Sequence, residues 1–196
     1  MHRDYFGDSY DYLKRFLLGL APEKSRRIAL PMLPENQGSQ EFLASYAKFL
    51  NAEVPPCAIA AVPKFERQDW VKNIQNWIQE SGNSRVWLLV DTCTGLCLGT
   101  TGGSKKHFLM DDFVQLVKFS EVSVAICYDQ AFRRADREKR IKEAHKKLSE
   151  LRKKGVWGLY YMSHASFLIA SEHKSEFQKI CDYLSLFDFP EGRLVY

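Results

Sequence analysis

The run Val86-Trp87-Leu88-Leu89-Val90 sets five large apolar side chains in consecutive positions. A strand with one wet face alternates apolar and polar residues, so an unbroken run predicts a central strand covered on both faces. The rest of the chain must then supply two covering layers. This run ends at Asp91, and a second one, Val122 to Tyr128, ends at Asp129.

Helical spacing provides the cover. Tyr12, Leu13, Phe16, Leu17 and Leu20 predict a helix over 9–20, led by Asp8 or Ser9 and stopped by Ala21-Pro22. Ser39 precedes Phe42, Leu43, Tyr46, Ala47 and Leu50, and Trp70, Val71, Ile74, Trp77 and Ile78 form a third face ending before Gly82. Further helices are predicted over 111–119, 134–154 and 174–187.

Short apolar stretches at 27–33, with Pro31 near an edge or an end, and at 57–62, after Pro55-Pro56, read as additional strands. Residues 156–162 and 166–170 read as an antiparallel hairpin around Ser163-His164-Ala165, and 193–195 as a terminal strand. The order predicts an α/β fold: a three-layer, Rossmann-like sandwich with a mostly parallel sheet and an antiparallel C-terminal hairpin. No repeat or composition break divides the 196 residues, so one domain is expected.

With 45% hydrophobic and 27% charged residues the chain is neither disordered nor of low complexity. No apolar run approaches the roughly 20 residues a membrane helix needs, and Arg3, Asp4, Asp8 and Asp11 stand where a signal peptide would be apolar. Five cysteines, an odd number, argue against a disulfide framework and for a reducing, cytoplasmic setting. Positive charge is concentrated: residues 133–154 hold 11 Lys and Arg against 4 Asp and Glu. Pairs such as Glu138 with Lys142 suit a solvated amphipathic helix, and the surplus suits attraction to nucleic acid or another polyanion.

In parallel sheets ligands bind beyond the carboxyl ends of the strands, where strand order reverses. Asp91, Asp129 and His164 follow successive strands and are the candidate catalytic residues: two carboxylates can hold a divalent cation, or one can act as base with His164 as acid. Otherwise the two aspartates cap turns. Gly99 to Lys106 suggests a phosphate cradle through Ser104 and Lys105, or simply a mobile basic loop; its spacing is not that of a P-loop. Arg133 and Arg134 lie just after Asp129, and Ser163 lies in the hairpin turn. Asp8 and Asp11 either cap the first helix or face a ligand across the sheet edge. Cys93 and Cys97 have the wrong spacing for zinc.

Phe6-Gly7-Asp8-Ser9-Tyr10-Asp11, Asp91-Thr92-Cys93-Thr94-Gly95-Leu96, Tyr128-Asp129-Gln130 and Ser163-His164-Ala165-Ser166-Phe167-Leu168, with Arg193-Leu194-Val195, resemble a family of small bacterial proteins. That resemblance implies a fold and no particular activity. Thr92 and Cys93 replace the Pro-Asp usual there. More weakly, the chain is similar to adenine methyltransferases of ribosomal RNA, through Gly7 and Asp11 at the first helix, Asp91 after a central strand and a Ser163-Ala165-Ser166 hairpin. This similarity implies Asp91 as catalytic aspartate and S-adenosylmethionine as cofactor, although no Gly-x-Gly follows the first strand. The reading that emerges is an enzyme-like domain acting on a nucleic acid or other phosphate-bearing substrate, as a divergent methyltransferase or a metal-dependent phosphoesterase. Its competitor is a non-catalytic interaction module.

Overall fold

A computed structural model describes residues 6–33, 39–59, 67–82, 84–92, 95–98, 108–130, 136–163 and 165–196. The chain runs α1 (Ser9–Gly19), β1 (Arg26–Pro31), α2 (Gln40–Leu50), α3 (Arg67–Glu80), β2 (Val86–Asp91), β3 (Leu96–Cys97) and β4 (Phe108–Leu109). It continues through α4 (Met110–Val117), β5 (Val122–Tyr128), α5 (Arg137–Lys153), β6 (Trp157–Met162), β7 (Ser166–Ser171), α6 (Lys174–Ser185) and β8 (Leu194–Val195).

Six strands form one sheet in the order β1-β2-β5-β7-β6-β8. β1, β2 and β5 are parallel, and the β6–β7 hairpin inserts β7 antiparallel to both neighbours, so β6 points the same way as the first three. The short β3 and β4 pair separately, within and just after the stretch read from sequence as a loop. Pro31 closes β1 at the sheet edge, where its missing N–H breaks no ladder.

Every residue of β2 is buried. Its side chains alternate between two cores. Val86, Leu88 and Val90 join Ile28, Leu30, Ala125 and Cys127 under α3, α4 and α5. Trp87 and Leu89 join Ala29, Val124 and Ile126 under α1, α2 and α6. This is a three-layer, Rossmann-like α/β sandwich. Each fully buried aliphatic side chain contributes about 1.5–3 kcal/mol.

One sequence expectation requires correction. The segment expected as a strand over 57–62 is instead a 3-10 turn at Pro56–Ile59, with 60–62 outside the described residues. Pro56 presets the φ of a helical first position. The edge of β1 meets only a bridge from Ile28 to Glu53, through Ala29 N donating to Glu53 O at 2.8 Å and Glu53 N to Arg27 O at 2.7 Å. From β1 through β2 to β5 and on to β6, the sheet grows in a single direction, which puts the crossover helices α3, α4 and α5 on one face. No reversal, and hence no switch-point crevice, lies between β2 and β5.

Among the described residues no helix is long and apolar enough to cross a membrane.

Candidate functional site

Asp91 and Asp129 do end neighbouring parallel strands at one rim of the sheet. Alternation along the strands then separates them. Asp91 is in phase with Trp87 and Leu89 and meets α1 and α2, whereas Asp129 meets α5 and β6 on the other face. The two carboxylates therefore do not share partners as a joint cation site would have them do. Each has its own clamp of a lysine and a tyrosine.

On the first face, Lys14 Nζ donates to Asp91 Oδ2 at 2.9 Å and to Asp11 Oδ1 at 2.8 Å, and the Tyr46 hydroxyl donates to Asp91 Oδ2 at 2.7 Å. Asp11 Oδ2 accepts from Gly7 N at 2.8 Å, and the ammonium of Lys14 lies 4.7 Å from the centroid of the Tyr128 ring. Asp11, Lys14 and Asp91 are all buried. Asp8 caps α1 by accepting from Tyr10 N at 2.9 Å and Asp11 N at 3.2 Å. Of the two acids considered at this helix start, Asp8 is thus the cap and Asp11 an internal partner of Lys14.

Burial alone pushes the Asp91 carboxyl upward, but the Lys14 charge and the bonds from Lys14 and Tyr46 outweigh it, so the group titrates below the usual carboxylate range. Burial disfavours the Lys14 ammonium too, yet Asp91 and Asp11 hold its pKa above the ordinary 10.5. Burial, then the Asp91 charge, drives the Tyr46 hydroxyl well above 10.0, which keeps it a donor. At neutral pH the cluster therefore holds ionised Asp91, ammonium Lys14 and protonated Tyr46.

On the opposite face, Asp129 Oδ2 accepts from Lys147 Nζ at 2.5 Å and from the Tyr160 hydroxyl at 2.8 Å, while Oδ1 accepts from Leu96 N at 3.0 Å. Burial, then the Asp129 charge, lifts the Tyr160 hydroxyl well above its ordinary value. Both oxygens of Asp129 are satisfied. Asp91 differs, because its Oδ1 is buried with no hydrogen-bond partner among the described residues. Buried polar groups are nearly always paired, and an unpaired one marks either a cost or a use.

Thr92 stitches the rim between the clamps. Its hydroxyl donates to Tyr128 O at 2.6 Å and accepts from Gly95 N at 2.9 Å, and Gln130 Nε2 donates to Thr92 O at 3.3 Å. Gly95 adopts φ 100°, a conformation that favours glycine. Thr92 is thus a cross-strand tie. Ser163, at the end of β6, closes the hairpin by exchanging bonds with Ala165: its Oγ accepts from Ala165 N at 3.1 Å and donates to Ala165 O at 3.0 Å.

His164, Ser104, Lys105, Arg133 and Arg134, together with Cys93 and His107, lie outside the described residues. Among the described ones no group of three His, Cys, Asp or Glu forms a metal-ligand cluster. Sequence reasoning missed Lys14, Tyr46, Lys147 and Tyr160. The overlooked signal is phase: Lys14 stands one helical turn before the buried Leu17 and Leu18, and Lys147 lies in the stripe of Ala144, Leu148 and Leu151. A lysine in phase with a buried stripe needs a buried acid.

No protein-family model, curated protein or solved structure matches this chain.

Proposed function

We propose that the chain is an enzyme-like α/β domain acting on a nucleic acid or another phosphate-bearing substrate at the carboxyl rim of its parallel strands, with Asp91 as the group that engages it. The observation that carries this reading is the contrast between the two aspartates. Asp129 has both oxygens satisfied, as a structural clip requires. Asp91 is held ionised by Lys14 and Tyr46 through one oxygen, and the other has no donor among the described residues. A fixed, charged acceptor of this kind suits an N–H or O–H brought by a substrate, either to orient it or to take its proton. The concentration of positive charge over 133–154 supports a substrate that carries phosphate.

Asp91→Asn and Asp129→Asn test the contrast, since each preserves shape. Asp91→Asn is expected to abolish turnover or ligand binding while the protein stays folded. Asp129→Asn is expected to lower stability by about 3–5 kcal/mol, as when one partner of a buried ion pair is removed, without changing affinity per folded molecule. Calorimetric titration with S-adenosylmethionine separates a methyl-transfer reading from phosphoester cleavage, which would require Mg²⁺ or Mn²⁺ in an assay on an oligonucleotide.

One observation favours the competing reading, a non-catalytic interaction module: both carboxylates are buried and ion-paired. Under that reading, Asp91→Asn retains every measurable affinity and activity.

A further inference from the structure

Part of the positive charge in and just after α5 is matched. Lys139 pairs with Asp136, Lys146 with Glu143, Lys147 with Asp129, Lys153 with Glu150 and Lys154 with Asp111. Two arginines at the start of the same helix are not. Arg137 and Arg140 converge with Arg193, from the turn before β8, on a cavity of about 360 Å³ that Ser163, Glu191 and Gly192 also line. It opens beyond the carboxyl end of β6, on the same rim as Asp91 and Asp129.

Backbone carbonyls hold all three guanidinium groups. Arg137 Nη2 donates to Glu191 O at 3.3 Å, Arg193 Nη1 to Met162 O at 3.2 Å, and Arg140 Nη2 to Ser163 O and, at 3.3 Å, to Ser166 Oγ. None of the three forms an ion pair among the described residues. Carbonyls orient a guanidinium without cancelling its charge. Arg140 Nε is in addition buried with no hydrogen-bond partner, so this fork lacks an acceptor on one side. Gly192 has φ 73°, a conformation that favours glycine, and the end of the Arg137 side chain lies over it, 2.3 Å from where a Cβ would stand. Among the described residues of the lining Glu191 is the one acid.

Three fixed, uncompensated forks around one polar cavity match a tetrahedral oxyanion, whose several oxygens accept from more than one guanidinium at once. At about 30 Å³ per water molecule, the cavity has room for such a group together with part of what it is attached to. We propose that this cavity is a phosphate-binding site, occupied by a phosphomonoester or a backbone phosphate of the substrate. The proposal deepens the reading above by giving its phosphate-bearing substrate a docking point, and it rests on residues that do not include Asp91.

The test is calorimetry on the full chain with inorganic phosphate, and with hexathymidylate carrying or lacking a 5′-phosphate. Wild-type protein is expected to bind inorganic phosphate, Arg140→Ala and Arg193→Ala each to weaken it about tenfold, and Glu191→Gln to tighten it, since charge-assisted hydrogen bonds dominate. Arg140→Lys is expected to bind several-fold more weakly although its charge is kept, because the fork is lost. Binding that requires the 5′-phosphate assigns the site to a terminal phosphomonoester; equal, Arg140-dependent binding of both oligonucleotides assigns it to backbone phosphate. Should circular dichroism show Arg140→Ala unfolded, Arg140→Lys and Arg193→Ala decide. No phosphate binding by wild type, or arginine variants that bind like wild type, would overturn the site. Asp91→Asn is expected to bind phosphate as wild type does, so loss of turnover there with phosphate affinity intact isolates the role of Asp91, whereas a matching loss of phosphate affinity counts against a separate site.

Discussion

Lys14 is the residue on which one face of the rim balances. It lies between Asp11 and Asp91, and without it two buried carboxylates face each other uncompensated. Lys14→Met is therefore expected to cost at least the roughly 3–5 kcal/mol of a broken buried ion pair, read from urea unfolding. Asp91→Asn leaves Lys14 its Asp11 partner and is expected to cost less, about 1–3 kcal/mol. The same cluster shapes the pH dependence of stability. Asp91 titrates below its unfolded value near 3.8, so its contribution is complete above that pH and is lost as pH falls through the lower, folded value. Lys14 titrates above 10.5, so its contribution is complete below that pH and is lost as pH rises further, and Tyr46, lifted above 10.0, acts in the same direction. Unfolding free energies are expected to stay level between these limbs and to fall beyond each, both falls shrinking in Lys14→Met. A profile in which Lys14→Met retained the full acid limb would remove Asp91 from this account. At this scale the sequence marked the strand-ending aspartates, because an acid closing a buried strand stands out, whereas their lysine partners show only through helical phase, a fainter signal in a helix as rich in lysine as α5.

Among the elements, α5 and β6 bring both the Asp129 clamp and the arginine cavity into position. Their approach is close: a Cβ on Gly158 would lie 2.9 Å from Leu151 Cδ1 and 3.3 Å from Leu148 Cδ2. A valine at this position must displace the Leu151 and Leu148 side chains or the helix that carries them, so Gly158→Val is expected to cost about 1–3 kcal/mol, measurable by thermal unfolding, and to weaken the contacts of Lys147 and Arg140 made from that helix. If Gly158→Val unfolds like wild type, α5 is not seated by this contact. The elements themselves were the most legible layer. All six described helices and the two long central strands were legible as elements, and Ser39 caps α2 by accepting from Phe42 N at 3.2 Å. The failure at 57–62 has a local cause. Pro55-Pro56 bounds a short apolar run equally well before a strand or a 3-10 turn, and only the sheet, whose β1 edge takes a single bridge from Glu53, distinguishes the two.

For the whole molecule, the three-layer architecture was legible because Val86 to Val90 demanded two covers, but strand order was not. Order depends on which edge each crossover chooses, and no residue encodes that choice locally. The choice made here leaves β7 as the strand that joins two parts of the sheet: it pairs with β5 on one side and β6 on the other, though it follows both in sequence. During synthesis the chain therefore emerges with β1, β2 and β5 able to assemble first, while the apolar flank of β5 stays bare until residues 166–171 leave the ribosome. A polypeptide halted at Met162 would present that unpaired flank to its neighbours, and self-association of such fragments, absent for the full-length chain, is the behaviour to look for in light scattering.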